Sequence, residues 1–219
     1  MPKLTRLLPC LLLFCLIRPG HAQVTLEVAV QSPAGSGTQT FHVASQQLRM
    51  DIQLGLTRSS ILYDATTDSL TLIDHQEQAY VRINPEQAAR LAQTVPGQSA
   101  DRELVDTGRV KALNERVACR VYEVYSEGRL AREICLANYR SLGLNPDEYR
   151  VFSSLLAALE RMAGDTTGKT DRLAGQLPMR TVDYDSAGQA EVTALRSVKR
   201  GASGVSFQVP AGYVEESPF

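Results

Sequence analysis

The sequence has few of the residues on which catalysis and metal binding most often depend. It holds 3 His in 219 residues, and because His21 lies in a predicted leader, only His42 and His75 remain. A hydrolytic triad needs a His that is oriented by an acid and touches a nucleophile. Asp74 adjoins His75, but neighbouring strand residues point to opposite faces, and neither remaining His lies in a nucleophile motif such as G-x-S-x-G. We therefore predict exposed strand positions for both and no enzymatic activity.

The chain also lacks a charge bias and, after its first residues, a long apolar run. Lys and Arg number 23 against 24 Asp and Glu, and the loss of three cations with the leader changes the net charge from −1 to −4. This balance offers no electrostatic attraction to nucleic acid or anionic lipid. No later stretch approaches the roughly 20 apolar residues that span a membrane. We expect no nucleic-acid partner and no transmembrane anchor after removal of the leader.

Residues 1–22 have the three parts of a secretory signal peptide. Lys3 and Arg6 form a positive head, residues 7–17 form an apolar core, and a small residue precedes the cleavage site. The core is far shorter than a membrane-spanning helix of about 20 residues. We predict cleavage after this segment and a single domain over residues 23–219. Its location would be the periplasm of a Gram-negative bacterium, or the medium outside the cell.

Two cysteines remain after removal of the leader, Cys119 and Cys135. An even count in an oxidising compartment favours a disulfide. Two strand-like segments flank a three-residue loop that ends in Gly128, which is the spacing of a hairpin. In that register Tyr125 faces Arg129, and the two Cys residues face each other at a distance that suits a disulfide. Two sulfurs with no His nearby make a poor zinc site, so we expect no metal and no cofactor.

Strand-like segments make up most of the domain. Alternating apolar residues over 24–30 are typical of a half-buried strand. Short polar connections separate five more segments, at residues 38–44, 48–54, 59–64, 69–74 and 79–83. Later segments of the same kind lie at residues 117–125, 129–137, 177–184, 190–199 and 206–209. Consecutive strands with tight connections predict an antiparallel sheet.

Two helices interrupt the strands, and each begins with Asn followed by Pro. Asn84 and Asn145 are predicted N-caps, because Pro suits the first helical position and acids follow in the first turn. The first helix should end near Val95 and the second near Ala163, before Gly164. The second helix has an apolar face at helical spacing, formed by Tyr149, Phe152, Leu155, Leu156, Leu159, Met162 and Ala163.

The order of these elements predicts an α+β fold. Strands and helices do not alternate, which argues against a parallel sheet. A large antiparallel sheet curls because its strands twist, and the apolar helix faces need an apolar partner. We predict a curved, open half-barrel of antiparallel strands with the helices covering its concave face and an apolar space between the layers.

Short patterns over most of the domain resemble bacterial exported proteins grouped as domain of unknown function 4412. They are LRMD (48–51), SILYD (60–64), LTLIDH (70–75), AYVRI (79–83), CRVY (119–122), EICL (133–136), LPMR (177–180), YDSAG (184–188) and FQVPAGY (207–213). The resemblance implies a fold similar to the periplasmic lipoprotein carriers, the LolA/LolB-like half-barrel, in which helices lid an open barrel that holds acyl chains. It assigns no ligand-contacting residues, because no carrier motif is recognisable.

Two loops resemble ligand-binding sequences but lack the context that binding needs. Residues 163–170 satisfy a relaxed phosphate-loop pattern, yet a helix rather than a strand precedes them. Asp183, Asp185 and Gly188 resemble a calcium loop, but Ala194 stands where a Glu ligand is needed. We interpret the first as a helix-capping loop and the second as a hairpin turn.

These features favour binding of a hydrophobic ligand without catalysis, the ligand being an acyl chain, a lipid or a lipoprotein segment. Burial of apolar surface in a concave site would supply the affinity. The candidate lining residues, each of which is also compatible with a sealed core, are Met50, Ile52, Leu62, Leu72, Phe152, Leu155, Leu156, Leu159 and Met162. The alternatives are an envelope interaction or sensor module with a filled core and, less favoured, a hydrolase.

Overall fold

The computed structural model describes residues 22–33, 35–94, 102–112, 117–162, 174–185, 188 and 190–218. In chain order the elements are β1 (Ala22–Ser32), β2 (Gly35–Val43), β3 (Gln47–Leu54), β4 (Thr57–Asp64), β5 (Ser69–Asp74), β6 (Ala79–Ile83), α1 (Pro85–Thr94), β7 (Arg102–Ala112), β8 (Ala118–Ser126), β9 (Arg129–Asn138), α2 (Pro146–Met162), β10 (Gln176–Tyr184), β11 (Ala190–Ser203) and β12 (Val214–Glu216). The predicted signal peptide through residue 21, the predicted helix ends Val95 and Ala163, and the phosphate-loop-like residues 163–170 lie outside the described residues. Neither helix in these ranges is long and apolar enough to cross a membrane.

The strands of the described residues form one sheet in the order β12-β6-β5-β4-β3-β2-β1-β11-β10-β9-β8-β7. Neighbouring strands are antiparallel, except that β12 runs parallel to β6. Strands β1 to β6 form one meander, β7 to β11 form a second antiparallel run, and the pairing of β1 with β11 joins the two. Because β7 and β12 lie at opposite ends of this order, the sheet is open. The predicted antiparallel sheet is confirmed.

Helix α2 packs on one face of the sheet, which we call the helix face. Phe152 and Leu155 of α2 belong to the same apolar cluster as Phe41 of β2 and Leu48 of β3. The ring centroids of Phe41 and Phe152 lie 4.9 Å apart. Side chains alternate along a strand, so every second residue from Leu48 shares the helix face. Their neighbours, such as Arg49, point to the opposite face.

Both helices begin with a capping box at the predicted Asn. In α1 the Gln87 amide donates to Asn84 Oδ1, and the Asn84 amide donates to Gln87 Oε1, both at 2.9 Å. In α2 the Glu148 amide donates to Asn145 Oδ1 at 2.9 Å, and the Asn145 amide donates to Glu148 Oε2 at 2.8 Å. These reciprocal bonds satisfy N–H groups that a helix start leaves unpaired. The predicted helix starts are confirmed.

Glu148 also forms an ion pair that joins α2 to the middle of the sheet. Its side chain is 0% exposed. Arg200 of β11 donates from Nη2 to Glu148 Oε2 at 2.8 Å and from Nη1 to Oε1 at 3.2 Å. The same guanidinium donates to the Gly143 carbonyl ahead of the helix. A buried carboxylate needs such partners, so this pair anchors the N-terminal end of α2 to β11.

The predicted disulfide between Cys119 and Cys135 is present. Cys135 pairs directly with Val121 rather than with Cys119, so the two Cys residues are diagonal neighbours in the hairpin. Their Cα atoms lie 5.2 Å apart, within the range that a disulfide spans. Both side chains are buried in the apolar cluster. The disulfide is therefore confirmed, and the predicted direct pairing of the two residues is wrong.

The hairpin register differs from the prediction because its turn is shorter and because the register shifts between Val124 and Tyr125. Glu127 and Gly128 form a two-residue turn with positive φ at both positions, 52° and 75°, as a type I′ turn requires. Ser126 therefore faces Arg129, and Tyr125 faces the residue after it. The predicted three-residue loop, with Tyr125 opposite Arg129, is wrong.

The structure also corrects the strand assignments near the ends of the sheet. Strands β7 and β12 form where the sequence pattern predicts none. Residues 206–209, a predicted strand, are irregular. They cross the opposite face of the sheet, where Arg49 donates to the Ser206 carbonyl at 2.9 Å. Their alternation of apolar and polar residues reflects packing on the sheet face rather than pairing with a neighbouring strand.

Candidate ligand-binding groove

The helix face of β3 to β6 carries apolar residues in rows that run across the strands. Leu48, Tyr63, Leu70 and Ile83 pair in register and form one such row. All four are buried and belong to the same apolar cluster as Phe152 of α2. This row is therefore part of the core.

The C-terminal end of α2 is held beside this row by the turn between β4 and β5. Arg161 Nη2 of α2 lies 2.7 Å from Asp68 Oδ2, and the Tyr63 hydroxyl donates to Asp68 Oδ1 at 2.9 Å. Burial and the bond to this carboxylate raise the pKa of Tyr63 to about 12. The phenol therefore keeps its proton, and with it this hydrogen bond, at neutral pH.

The next row forms the floor of an open groove. Met50, Ile61, Leu72 and Val81 pair in register; Met50 is buried and the other three are half-buried. The groove has a volume of about 360 Å³, within the range of roughly 300–1,000 Å³ typical of small-ligand sites. Its lining consists of Ile52, Ser59, Ser60, Ile61, Leu72, Ile73, Asp74, Ala79, Tyr80, Val81 and Glu216. No residue of α1 or α2 is among them.

The structure divides the four predicted lining residues of the sheet between its two faces. Ile52 and Leu72 line the groove. Met50 lies in the same row as Leu72 but is buried. Leu62 points to the opposite face, because its neighbour Ile61 is the residue that pairs with Met50. There Leu62 lines a separate cavity of about 440 Å³ beneath the C-terminal segment, residues 206–213.

The five predicted lining residues of α2 do not line the groove. Phe152 and Leu155 are buried in the apolar cluster, and Leu156, Leu159 and Met162 are half-buried and pack against it. These side chains attach the helix to the sheet.

Two residues of the floor row lie outside the predicted set, Ile61 and Val81. The sequence carries a signal for Ile61, because the two-residue turn Gly55-Leu56 fixes which residue of β4 lies opposite Met50. Val81 then follows from its position opposite Leu72.

A polar network occupies the opposite face of β3 and β4. Asp51 accepts hydrogen bonds from Arg49 Nε at 2.7 Å and from Ser60 Oγ at 2.5 Å. Ser60 Oγ lies 2.7 Å from His75 Nε2, and His75 Nδ1 lies 2.9 Å from the Tyr213 hydroxyl. This chain of contacts ties the C-terminal segment, through Tyr213, to the middle of the sheet.

Neither His is the exposed strand residue that the sequence predicts. His42 is 8% exposed, and its Nε2 lies 3.4 Å from Asp51 Oδ2. His75 lies half-buried in the turn after β5. Polar partners compensate both rings for the loss of water. The Ser60 hydroxyl beside His75 is itself buried and donates to Asp51, so it does not have the geometry of a nucleophile activated by His.

We expect the ionised form of Asp51 to stabilise the fold. Burial alone would raise the pKa of Asp51, but hydrogen bonds from His42, Ser60 and Arg49 and the Arg49 charge lower it from 3.8 to about 2. The stabilisation is therefore complete above pH 3.8 and is lost as the pH falls through about 2. With allowance for solvent screening at this partly exposed carboxylate, Asp51→Asn should lower the free energy of unfolding at neutral pH by about 1–2 kcal/mol. Urea unfolding of both proteins over this pH range measures the difference.

The matched control for Asp51 is Asp147→Asn. Asp147 forms an exposed ion pair with Arg150 at the start of α2, and such pairs contribute about 0.5 kcal/mol or less. The gap between wild type and Asp51→Asn should close as the solution is acidified. A gap of the same size at acidic and neutral pH would show that shape, and not the charge of Asp51, matters.

The fold and the groove define an α+β protein built on an open antiparallel sheet, with an apolar groove on the face to which its second helix is packed. The chain belongs to the family described as Domain of unknown function (DUF4412), whose model matches residues 24–213. The match runs from β1 to the residue before β12 and confirms the resemblance of the short strand patterns.

The solved structures that match the chain share little sequence with it. An uncharacterized conserved protein from Thermus thermophilus is 12% identical, with a TM-score of 0.49 over 89% of this chain and 91% of that one. A chain of the Pseudomonas aeruginosa MucA/MucB complex is 14% identical, with a TM-score of 0.41 over 86% of this chain and 55% of that one. A LolA superfamily protein from Nitrosomonas europaea is 12% identical, with a TM-score of 0.30 over 85% and 88%. No curated protein matches the chain in sequence.

Proposed function

We propose that the chain is an exported, non-catalytic binding protein that holds the apolar part of a ligand, such as an acyl chain, in the groove on the helix face. One observation carries the proposal: Ile61, Leu72 and Val81 form the half-buried apolar floor of an open groove. Covering such a floor contributes about 25 cal/mol for each Å² of apolar surface removed from water. Contact with an alkyl chain therefore supplies affinity without polar bonds.

The packing of α2 favours a ligand beside the helix over a ligand beneath it. Phe152 and Leu155 already fill the space between α2 and the sheet, and a ligand there would have to displace them. We therefore assign the ligand to the groove. In this proposal the sheet is curved as a half-barrel, and the helices cover only part of its concave face.

The disulfide supports a location outside the cytoplasm. Disulfides form and persist in oxidising compartments and are rare where thiols are kept reduced, and Cys119 and Cys135 are bonded. The predicted signal peptide agrees with this location. We propose the periplasm of a Gram-negative bacterium as the place where the processed chain works.

Leu72→Gln is expected to weaken the binding of the uncharged fluorescent probe N-phenyl-1-naphthylamine by about tenfold. The variant removes apolar floor from the groove and forces an amide to lose water when the probe binds. Fluorescence titration of the processed chain measures the affinity. Solvent extraction of the same preparation, followed by mass spectrometry, identifies any lipid that co-purifies.

Leu56→Gln is the matched control for this experiment. Leu56 is 93% exposed in the turn between β3 and β4 and does not line the groove, so the probe affinity should stay unchanged. Equal weakening by both variants would move the site away from the groove. Absence of both probe binding and co-purified lipid would overturn the binding function and favour an interaction or sensor module with a filled core.

A further inference from the structure

We propose that the ligand of the groove is a cationic amphiphile, with its alkyl chain over Ile61 and Leu72 and its protonated amine between Asp74 and Glu216. This inference rests on the proposed function and adds the charge and orientation of the ligand. The groove is the site, and the two carboxylates determine which head group it accepts.

Every charged side chain that lines the groove is acidic. Asp74, at the end of β5, pairs in register with Ala79 of β6, and Glu216 of β12 pairs with Val81 of β6. Because paired residues project from the same face of a sheet, both carboxylates lie on the helix face, Asp74 on β5 and Glu216 on β12, on either side of β6. Asp74 Oδ1 accepts two amides of the following turn. Among the described residues, neither carboxylate forms an ion pair.

The arginines of β3, β4 and β6 lie on the face of the sheet opposite the groove. Arg49, Arg58 and Arg82 each stand next in sequence to a residue of the helix face, so strand alternation directs them away from the groove. Arg49 is paired with Asp51 at 2.7 Å, and Arg82 lies 3.5 Å from Glu215 on that opposite face. The sheet therefore separates its charges, and an anionic head group in the groove would meet two carboxylates and no cation among the described lining residues.

The dimensions of the groove favour a single small amphiphile. A volume of about 360 Å³ is near the lower end for small-ligand sites. Its floor crosses four strands, and the three spacings between them, of about 4.8 Å each, give a length of about 14 Å. The apolar end lies over β3 and β4, and the two carboxylates lie on β5 and β12 on either side of β6. An elongated molecule with one charged end therefore fits the polarity of the floor.

Displacement of bound N-phenyl-1-naphthylamine by three molecules with the same alkyl chain tests this inference. Dodecylamine, dodecanol and dodecanoate, each kept below its micellar threshold, differ only in the charge of the head group. We expect dodecylamine to displace the probe at a concentration about tenfold lower than dodecanoate, with dodecanol between them. Added salt should reduce this ratio, because exposed charges are screened.

Two variants of one strand provide the matched comparison. Glu216→Gln should reduce the ratio between dodecanoate and dodecylamine about threefold. Glu215→Gln should leave the ratio unchanged, because Glu215 lies on the opposite face, where it accepts from the Tyr80 hydroxyl at 3.0 Å. Asp74→Asn is a second variant on the groove side, with the same expectation as Glu216→Gln.

The possible failures of the two proposals are distinct. If the uncharged probe binds and dodecanoate displaces it as well as dodecylamine does, the cationic ligand is wrong and the proposed function stands. The same conclusion follows if neither Glu216→Gln nor Asp74→Asn changes the ratio. Displacement by a lysine-containing apolar peptide but not by dodecylamine would assign the groove to a protein partner and overturn the small ligand. If the probe itself does not bind, the proposed function fails as well.

Discussion

Leu155→Ala is expected to lower the free energy of unfolding by about 4 kcal/mol. Leu155 is 0% exposed and belongs to the apolar cluster that joins α2 to the sheet. Truncation of a buried Leu costs about 2–5 kcal/mol, because apolar contacts are lost and the space left behind collapses only in part. Urea unfolding followed by circular dichroism measures the change. The folded fraction should bind N-phenyl-1-naphthylamine with unchanged affinity, because Leu155 does not line the groove.

The adjacent substitution Leu156→Ala is the control for Leu155→Ala. Leu156 carries the same side chain on the same helix but is only half-buried against the cluster, so we expect a loss of about 1 kcal/mol. A small loss for Leu155→Ala, similar to that for Leu156→Ala, would contradict the packing of α2 on the sheet. A loss of probe affinity in Leu155→Ala but not in Leu156→Ala would show that Leu155 contributes to the ligand site.

The features that the sequence predicts well are those decided within a few residues. The N-caps Asn84 and Asn145 bond to amides two or three residues away, so the Asn-Pro pattern contains the whole signal. The strands β3 to β6 are predicted almost to the residue for the same reason. The alternation of apolar and polar residues along these strands, and the short turns between them, can be recognised from neighbouring residues alone.

The face on which a strand residue lies depends on pairing, which is less local. Leu62 and Ile61 are neighbouring apolar residues, and hydrophobicity alone does not separate them. The turn Gly55-Leu56 pairs Leu54 with Thr57 and thereby sets Ile61 opposite Met50. A shift of one residue in this pairing would exchange the faces of Ile61 and Leu62. Lining residues chosen by hydrophobicity alone therefore include residues from both faces of the sheet.

Long-range contacts account for the remaining differences. The sequence of β7 is largely polar, as suits an exposed edge strand, and its strand pattern is correspondingly weak. Tyr213 contacts His75, which lies 138 positions away in the chain. The local sequence around either residue does not indicate this contact. The acidic end of the groove has the same origin, since Glu216 reaches it only because β12 pairs with β6.

Replacement of both Cys119 and Cys135 by Ala is expected to lower the free energy of unfolding by about 3 kcal/mol. The disulfide joins residues separated by 16 positions. Closing a loop of about this length lowers the conformational entropy of the unfolded chain, which corresponds to a stabilisation of about 3 kcal/mol. Reduction of the wild-type protein should have a similar effect, and the two together should not be additive.

Thiol titration under denaturing conditions tests whether the disulfide forms in the periplasm. Cys119 and Cys135 are both buried in the apolar cluster, so thiol reagents reach them only after unfolding. Processed chain isolated from the periplasm should show no free thiol. Chain made without the predicted leader in a reducing cytoplasm should show two and unfold at lower urea concentration. Two free thiols in periplasmic material would remove the stabilisation that the disulfide supplies and, with it, the chemical argument for work in an oxidising compartment.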